Sequence, residues 1–511
     1  MGIVPKACRR RSLASKFACG TLRFSRTIDE LKDFWLGEMA AVKKQLKAWA
    51  LVVLLFVFVS FARADSLDTF ITGQMKQRKI PGVSIAVLRD GKVVRESGYG
   101  FADLESQTPA TKDSVYEIGS ISKQFAAEAV MLLVEDGKIN LDDPITKYLP
   151  ANAPEIWQKI TTRNLLNHTS GLKDWTEIKE FSYRREYSAE EFVDLVKGFP
   201  IGFQPGDNWL YSNTNLPLIG IIVEKASGRT FEEFVTERII KPLNFPTIRF
   251  KHQEDVVANR ASGYVLRNDV LKNGEPFRPK VIAASGGILA TATDLARWWE
   301  AVMKGRVVKP ASLDQMLTPT RLNDGRSVAH GFAFFTDMFN GHKVVQHFGS
   351  TVGGFGSIVR YYPREKITVS VIGNLEDGGF GAEYIAKRIA DHFIPGAFAD
   401  GMKETPDLTP GQTKNALHIL SEIAAGRSTG EMSTNYTAKV PDAFRKQLAE
   451  NLKQMKSFVY LGREKITTDH FMLDATADEF IRYRMTLPGK KVYYYFRMNK
   501  EGKIGWIQVE E

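Results

Sequence analysis

The sequence predicts an antiparallel sheet covered by helices, with an inserted helical subdomain, followed by a small α+β domain. Hairpin-like patterns near both ends of residues 65–395 predict the sheet. Between them, about residues 138–300 are mostly helical in pattern, with Pro and Gly loops. A change of pattern after Pro395 predicts the second domain. A site between the sheet and the helical subdomain would be a cleft.

The N-terminal segment, residues 1–64, has the features of a leader. Lys43, Lys44 and Lys47 precede an apolar run of 14 residues, Ala48 to Phe61, and Ala62-Arg63-Ala64 is a small-x-small cleavage site. The run is short for a membrane span, which needs roughly 20 apolar residues. We therefore expect signal cleavage, a periplasmic or secreted mature chain and no stable membrane span afterwards. An uncleaved membrane anchor is the alternative.

The position of this signal bears on the true start of the chain. Secretory signals begin near their charged region, whereas 38 residues precede Met39 here. We interpret Met39 as the initiator, residues 39–64 as the approximate signal peptide and Asp65 as the mature start. Residues 1–38 would then be a mis-assigned extension, and a cytoplasmic tail or transit peptide is the alternative.

Most of the net charge also belongs to the leader. The chain carries +10, but residues 1–64 hold 12 Lys and Arg against 4 Asp and Glu, a net of +8, which leaves +2 for residues 65–511. Nucleic-acid binding loses its main support, so we expect no nucleic-acid partner. Both cysteines, Cys8 and Cys19, lie in the leader, so the mature chain has no disulfide, cysteine nucleophile or thiolate metal site.

The predicted strands of the first domain lie near its two ends. Residues 66–78 have a helical pattern, and β-rich runs on either side of Arg89-Asp90-Gly91 predict a hairpin. Strands return after residue 325, and a helix follows them. The predicted strands are 83–88, 92–99, 344–348, 355–362 and 366–372, and the predicted helix is 381–394. We expect the strands from both ends to form one sheet.

The last part of the chain differs from the first. Residues 396–412 are rich in Pro, Gly, Asp and Thr and predict a linker. Residues 413–511 predict a small α+β domain, possibly NTF2-like, and suggest no chemistry. Its predicted helices are 414–425 and 441–455, and its predicted strands are 458–465, 480–486, 492–498 and 504–509. Every candidate motif precedes the linker, so we expect residues 1–395 to retain the chemistry without the tail.

The first candidate motif is Ser120-x-x-Lys123. Gly119 breaks the chain before a helical pattern, which places Ser120 at the helix start and Lys123 one turn later on the same face. A lysine with a lowered pKa can take the proton of a serine nucleophile, and the N–H groups at the helix start can stabilise an oxyanion. An N-cap serine with a solvated lysine is the alternative. Ser122 lacks a lysine at this spacing.

Two further motifs carry polar groups. Tyr211 can accept or donate a proton, and Asn213 can bind a substrate amide; the alternative is that Asn213 or Thr214 caps a helix. In the second, His347 can orient a carboxylate or relay a proton, Gly349 would let substrate approach, and Ser350 could supply a second oxyanion N–H beside that of Ser120. A glycine-rich strand end with an incidental histidine is the alternative. We interpret His168 as structural.

The motifs occur in the order Ser-x-x-Lys, Tyr-x-Asn, His-x-Gly, with 91 residues from Ser120 to Tyr211 and 136 from Tyr211 to His347. In this order and in its flanks the chain resembles the serine β-lactamase-like superfamily over about residues 66–395. The branch is that of class C β-lactamases, D-Ala-D-Ala carboxypeptidases, D-aminopeptidases and related esterases. The flanks are Tyr116-Glu117-Ile118-Gly119, Leu165-Leu166-Asn167-His168-Thr169-Ser170-Gly171-Leu172, Pro205-Gly206 and Gly286-Gly287.

The resemblance implies a β-lactamase/transpeptidase-like fold of the α/β plus all-α class that needs no metal or other cofactor. It implies Ser120 as the acylated nucleophile, Lys123 and Tyr211 as the groups that handle its proton, and Asn213 as the substrate-amide ligand. Class C β-lactamases carry a lysine at the place of His347, and a histidine there is similar to the D,D-peptidase and D-aminopeptidase branches. We therefore expect weak β-lactamase action at most, and carboxylate binding that strengthens as the pH falls.

The function that follows is an exported serine hydrolase working through an acyl-enzyme on Ser120. Its substrate would be a small molecule or peptide carrying a peptide, amide or ester bond, as for a D,D-peptidase, D-aminopeptidase or esterase. The alternative is a non-catalytic, penicillin-binding-like sensor or scaffold, against which the intact Ser120, Lys123 and Tyr211 argue.

Overall fold

A computed structural model describes residues 67–276, 280–397, 404–406, 410–432, 440, 442–465, 477–499 and 503–510. The predicted leader, the proposed start at Met39 and the proposed mature start at Asp65 all lie outside these residues. Among the residues described, no helix has the length and apolar character needed to cross a membrane.

The strands, in chain order, are β1 (Gly82–Arg89), β2 (Lys92–Asp103), β3 (Thr108–Pro109), β4 (Tyr116–Glu117), β5 (Arg249–Phe250), β6 (Tyr264–Arg267), β7 (Val270–Asn273), β8 (Ile288–Ala290), β9 (Thr320–Arg321), β10 (Ser327–Val328), β11 (Phe335–Phe339), β12 (His342–Thr351), β13 (Phe355–Tyr362), β14 (Ile367–Gly373), β15 (Leu375–Glu376), β16 (Ser457–Lys465), β17 (Ala477–Leu487), β18 (Lys490–Asn499) and β19 (Ile504–Glu510).

The helices are α1 (residues 67–78), α2 (Lys123–Glu135), α3 (Thr162–Leu166), α4 (Ala189–Val196), α5 (Asn215–Ser227), α6 (Phe231–Val235), α7 (Lys241–Leu243), α8 (Ala283–Gly286), α9 (Ala292–Met303), α10 (Pro310–Leu317), α11 (Phe380–Phe393), α12 (Pro410–Ala424) and α13 (Asp442–Gln454). A π-helical turn, Thr236–Ile240, joins α6 to α7.

A seven-stranded sheet with the order β11-β12-β13-β14-β1-β2-β3 dominates the first part of the chain. Its strands come from both ends of that part, because β1 pairs antiparallel with β14, with Ile85 opposite Val371. Both strands are buried along almost their whole length, which explains their nearly continuous apolar sequences. Helices α9 and α11 pack against the sheet. The predicted sheet, covered by helices and built from both ends, is confirmed.

Helix α2 lies inside the helical part of the molecule. It packs against α5 and α8, and its residues from Lys123 to Leu133 are all buried. Its polar side chains are therefore enclosed together with its apolar ones. This enclosure removes Lys123 from water, and the consequences for the pKa of its amine are described below.

The residues that precede α9 and α5 use their side chains differently. Helix α9 begins at Ala292, and the side chain of Thr291 caps it by accepting a hydrogen bond from the Asp294 amide. Helix α5 does begin at Asn215, but the side chain of Thr214 makes no cap bond and donates to the carbonyl of Lys173 instead, at 2.5 Å. The Tyr211-to-Asn213 loop is thus tied to a neighbouring loop rather than to its own helix.

The tail forms a small α+β fold, as predicted. Strands β16-β17-β18-β19 make an antiparallel sheet, and the core on one face contains side chains of α12 and α13. On the other face Tyr493 and Tyr495 are buried and pack with Phe339 of β11 and Tyr384 of α11. Because both faces of β18 are covered, its aromatic run can continue without polar alternation.

The domain boundaries stay a prediction. Residues 69–511 form one compact unit. Within the predicted linker, residues 396–412, residues 398–403 and 407–409 lie outside those described.

Candidate active site

Ser120 lies in a 3₁₀ turn, Gly119–Ser122, that runs directly into α2. Gly119 has a positive φ of 53°, and a β-carbon on it would lie 2.8 Å from the backbone nitrogen of Ser350. Only glycine tolerates both conditions easily. This close approach brings Ser120 beside the end of β12, so the two predicted oxyanion donors, the N–H groups of Ser120 and Ser350, lie on adjoining segments.

Lys123 is enclosed and points at the serine. Its Nζ lies 2.8 Å from the Oγ of Ser120 and donates to the carbonyl of Ser285 at 3.0 Å. The side chain has no solvent exposure, so the alternative of a solvated lysine does not describe it. The N-cap alternative for Ser120 also fails, because no side chain caps the start of the turn or of α2.

Burial sets the protonation state of this lysine. Loss of water lowers the pKa of Lys123 from its usual range near 10.5 to about 7, and attraction to the Asp174 carboxylate opposes part of that shift. A substantial fraction of the amine is therefore neutral near pH 7. A neutral amine within hydrogen-bond distance of a serine hydroxyl can take its proton.

Tyr211 completes the group around the nucleophile. The centre of the Tyr211 ring lies 5.2 Å from the Nζ of Lys123. Burial raises the pKa of Tyr211 well above its ordinary value, so the phenol stays protonated and can donate. An interaction with the Ser120 side chain opposes part of this pKa shift. The ring stacks on His168, with a centroid distance of 4.5 Å.

His168 anchors the segment that follows Tyr211. It is buried, its backbone has a positive φ of 60°, and its Nδ1 accepts from the Ser212 amide at 3.2 Å. The side-chain amide of Asn215 lies 3.0 Å from the same nitrogen. This geometry fits the structural role that we inferred for His168.

Asp174 is a site residue that the sequence reasoning missed. One of its oxygens accepts from both the backbone and the side-chain nitrogen of Asn213, at 3.0 and 2.8 Å. A carboxylate can only accept, so the Nδ2 of Asn213 must face Asp174 and its Oδ1 is directed elsewhere. The Oδ1 of Asn213 is then the atom that can accept a substrate N–H. Asp174 lies just after the Leu165-to-Leu172 flank, but no local pattern joins it to Asn213.

His347 does not have the titrating imidazole that we expected from the sequence. Its side chain is fully buried, and its Nδ1 donates to the carbonyl of Phe348 at 2.7 Å, which leaves Nε2 as the acceptor atom. Burial, reinforced by the charge of Lys123, lowers the pKa of His347 to about 3. The imidazole stays neutral through the physiological range, so the expected strengthening of carboxylate binding between pH 9 and pH 5 has no support here.

Gly349 is required by the close packing of two backbone segments. A β-carbon at this position would overlap the carbonyl oxygen of Ile118, the residue just before Gly119. The Ser357 hydroxyl donates to the same carbonyl at 2.8 Å. The glycine therefore lets β12 approach the Ser120 turn, whereas we had expected it to admit the substrate.

The described residues thus bring all of the predicted site residues into one region. Within this part of the chain, no group of three or more His, Cys, Asp or Glu side chains is arranged to hold a metal ion. The chemistry that the geometry offers is acyl transfer by a serine whose proton is handled by Lys123 and Tyr211.

Comparisons with known proteins agree with this geometry. The sequence model of the Beta-lactamase family matches residues 67–393. The chain is 26% identical to penicillin-binding protein 4* of Bacillus subtilis (strain 168), over 69% of this chain and 82% of the relative. It is 25% identical to the Protein flp of Staphylococcus aureus (strain MRSA252), over 64% of each chain.

Solved structures show similar folds. The octameric penicillin-binding protein homologue from Pyrococcus abyssi has a TM-score of 0.56 at 23% identity, covering 88% of this chain and all of that one. A D-stereospecific amidohydrolase from Streptomyces sp. has a TM-score of 0.52 at 26% identity, covering 62% and 94%. A D-amino acid amidase from Ochrobactrum anthropi SV3, solved with D-phenylalanine, has a TM-score of 0.56 at 25% identity, covering 64% and 98%. This chain belongs to the Beta-lactamase family of serine hydrolases.

Proposed function

We propose that this chain is an exported serine hydrolase that cleaves an amide, peptide or ester bond through an acyl-enzyme on Ser120. One observation carries the proposal: the Nζ of Lys123, with a pKa lowered to about 7, lies 2.8 Å from the Oγ of Ser120. A group with a pKa close to the working pH is well matched to general-base catalysis.

The proposed reaction has an acylation step and a deacylation step on Ser120. Neutral Lys123 takes the proton of Ser120 as the Oγ attacks the substrate carbonyl, and the N–H groups of Ser120 and Ser350 stabilise the oxyanion. Tyr211 hands a proton to the leaving nitrogen or oxygen as its bond to the carbonyl carbon breaks, and it receives in return the proton that Lys123 took from Ser120, so both groups regain their starting states. Water then attacks the acyl-enzyme, which releases the acid and restores the Ser120 hydroxyl.

The charges beside the nucleophile favour a cationic acyl group. The Ser350 hydroxyl donates to the exposed carboxylate of Glu376 at 3.5 Å, next to the proposed oxyanion position. Asp174 stands on the Asn213 side, and neutral His347 offers no cation for a substrate carboxylate. We therefore favour substrates with an ammonium group near the scissile bond, such as D-amino acid amides or D-aminoacyl peptides. The D-amino acid amidase with a similar fold is in keeping with this choice.

The experiment is covalent labelling combined with a substrate panel on purified residues 65–511. A fluorescent phosphonate should add once to wild-type protein and not to Ser120→Ala, as read by intact mass. D-aminoacyl p-nitroanilides should be cleaved faster than their L-forms and than their N-acetylated forms, which lack the ammonium. A folded protein that takes no label would point to the scaffold alternative, and equal rates on acetylated substrates would refute the charge preference.

Export is part of the proposal and rests on the leader sequence alone. The Lys43-to-Lys47 region, the apolar run and Ala62-Arg63-Ala64 support it. N-terminal sequencing of protein recovered outside the cytoplasm should begin at Asp65. Recovery with residues 1–38 still attached would contradict both the cleavage and the start at Met39.

A further inference from the structure

The C-terminal sheet packs against the tip of the hairpin of β11 and β12. Tyr493 and Tyr495, on the face opposite the domain's own core, pack with Phe339 at the end of β11. The rings of Phe339 and Tyr495 are 6.0 Å apart. Strand β11 is the edge of the seven-stranded sheet, and the tail packs against its last residue.

One polar link joins the two domains at the tip of this hairpin. The guanidinium of Arg482 donates to the Oδ1 of Asn340 at 2.9 Å and lies over the Phe339 ring, 5.3 Å from its centre. The Nδ2 of Asn340 in turn donates to the carbonyl of Gly396 at 2.9 Å. Asn340 has a positive φ of 51° and therefore shapes the turn as well.

The hairpin leads directly into the active site. Strand β12 begins at His342, beside the linked turn, and carries His347, Gly349 and Ser350 towards its other end. His347 is five residues from the start of the strand, roughly 17 Å at about 3.4 Å per residue. Strand β12 is paired with β11 over residues 342–346 and with β13 over residues 345–351, so the two ladders overlap at Val345 and Gln346 and together connect the turn to the Ser350 end.

A second route runs through α11. Tyr384 of this helix packs against the cluster that contains Tyr493 and Tyr495 of the tail. Its ring lies 5.9 Å from that of Phe70 in α1. At the N-terminal end of α11, a β-carbon on Gly379 would lie 3.2 Å from the carbonyl oxygen of Gly349. The tail therefore contacts α11, whose N-terminal end approaches Gly349, as well as the hairpin at which β12 begins.

We propose that the C-terminal domain positions the oxyanion-binding end of β12, and that Arg482 is the positioning residue that acts through Asn340. This rests on the proposed acyl-transfer function and adds a role for the tail, whose sequence suggests no chemistry. Oxyanion donors must meet the developing charge within a few tenths of an ångström, so a loosened hairpin slows acylation without touching Ser120 or Lys123. Residues 65–395 alone would keep the chemistry at a reduced rate.

The test uses full-length mature protein and three variants of the link. Arg482→Ala removes the donor. Asn340→Gly removes the acceptor but keeps the positive φ, because glycine adopts it without strain. Asn340→Asp keeps an acceptor for Arg482 and loses only the donor to Gly396. Arg427→Ala is the matched control, since Arg427 is an exposed arginine of the same domain paired with Glu422.

Acylation by p-nitrophenyl acetate should be about tenfold slower in Arg482→Ala and Asn340→Gly, below the roughly 100-fold that a 1 Å misplacement can cost. Asn340→Asp and the control should match wild type. The double variant should be no slower than either single variant, because both remove one link. The pH at half-maximal rate should not move, since the link does not reach Lys123.

Hydrogen exchange of residues 342–351 gives a readout that does not need activity. Protection should fall in Arg482→Ala and Asn340→Gly and stay at the wild-type level in Asn340→Asp and the control. Unchanged rates or unchanged protection in folded Arg482→Ala and Asn340→Gly would overturn the inference. So would a shift in the pH midpoint, which would place the effect at Lys123. If the wild type shows no acylation, the proposed function fails and exchange alone decides the positioning role.

Discussion

The amine of Lys123 and the hydroxyl of Ser120 lie 2.8 Å apart in a setting where the amine has no contact with solvent. A single helical turn places the two side chains together, and the surrounding core lowers the pKa of the amine. The amine is therefore within hydrogen-bond distance of the hydroxyl and is partly unprotonated near neutral pH, as a general base must be.

Ser120→Ala should abolish turnover and covalent labelling while the protein stays folded. Ser122→Ala is the matched control, two positions away in the same turn. The hydroxyl of Ser122 is buried and accepts from the Ile288 amide at 3.3 Å, so its loss should cost about 1 kcal/mol of stability and leave the rate nearly unchanged. Mass spectrometry of labelled protein and a thermal melt measure both effects. Inactivation by Ser122→Ala with Ser120→Ala active would show that the nucleophile is misidentified.

The acylation rate should rise with pH through a midpoint near 7 and then level off. The base must be unprotonated, and the pKa of Lys123 is lowered to about 7, so the active fraction grows as the pH passes that value. The pKa of His347 is about 3 and adds no step between pH 5 and pH 9. Single-turnover rates with p-nitrophenyl acetate across this range measure the profile. A midpoint above pH 9 would mean that the lysine stays charged.

The same pKa shift predicts a stability effect. Between pH 7 and pH 10.5 the unfolded state holds a proton on Lys123 that the folded state has lost, so the free energy of unfolding should rise with pH over this window. The contribution is a few kcal/mol, at about 1.4 kcal/mol per unit of pKa difference. Lys123→Met has no titrating group at this position, so its free energy of unfolding should lack this rise with pH. The free energy of unfolding of wild type should therefore gain on that of Lys123→Met from pH 7 to pH 10. Denaturant unfolding of both proteins is the measurement, and parallel pH profiles would contradict the burial of a titrating lysine.

Asp174→Asn should slow amide hydrolysis and also move the pH profile. The substitution weakens the two bonds that orient Asn213, so amide substrates should lose more rate than small esters. It also removes an attraction that raises the pKa of Lys123, so the midpoint of the rate profile should shift to lower pH. A comparison of p-nitroanilide and p-nitrophenyl ester profiles measures both. A midpoint that rises would show that the Asp174 charge does not reach the lysine.

β-Lactam turnover should be slow or absent. His347 stays neutral, so the site has no permanent cation at this position to hold the carboxylate of a β-lactam. Because the imidazole does not titrate between pH 9 and pH 5, lowering the pH over this range should not improve binding of the carboxylate. This prediction replaces the expectation from the sequence that carboxylate binding strengthens as the pH falls. Nitrocefin hydrolysis measured beside p-nitrophenyl acetate hydrolysis from pH 5 to pH 9 is the test. Rapid nitrocefin turnover would mean that another group supplies the carboxylate anchor.

Local patterns in the sequence were enough to predict much of this protein. The turn at Arg89-Asp90-Gly91, the paired strands at both ends and the four strands of the tail all follow from residue propensity and period, which act over a few neighbours. The spacing of Ser120 and Lys123 belongs to the same class, because helical geometry alone sets a separation of three residues on one face.

Other properties were decided only when distant segments packed together. The enclosure of Lys123 lowers its pKa, and the burial of His347 removes it from titration near neutral pH. Asp174 meets Asn213, and Gly119 meets Ser350, across long stretches of chain that carry no local signal of the contact. The physical reason is that hydration, charge proximity and backbone approach are properties of three-dimensional packing, whereas periodicity is a property of the local chain.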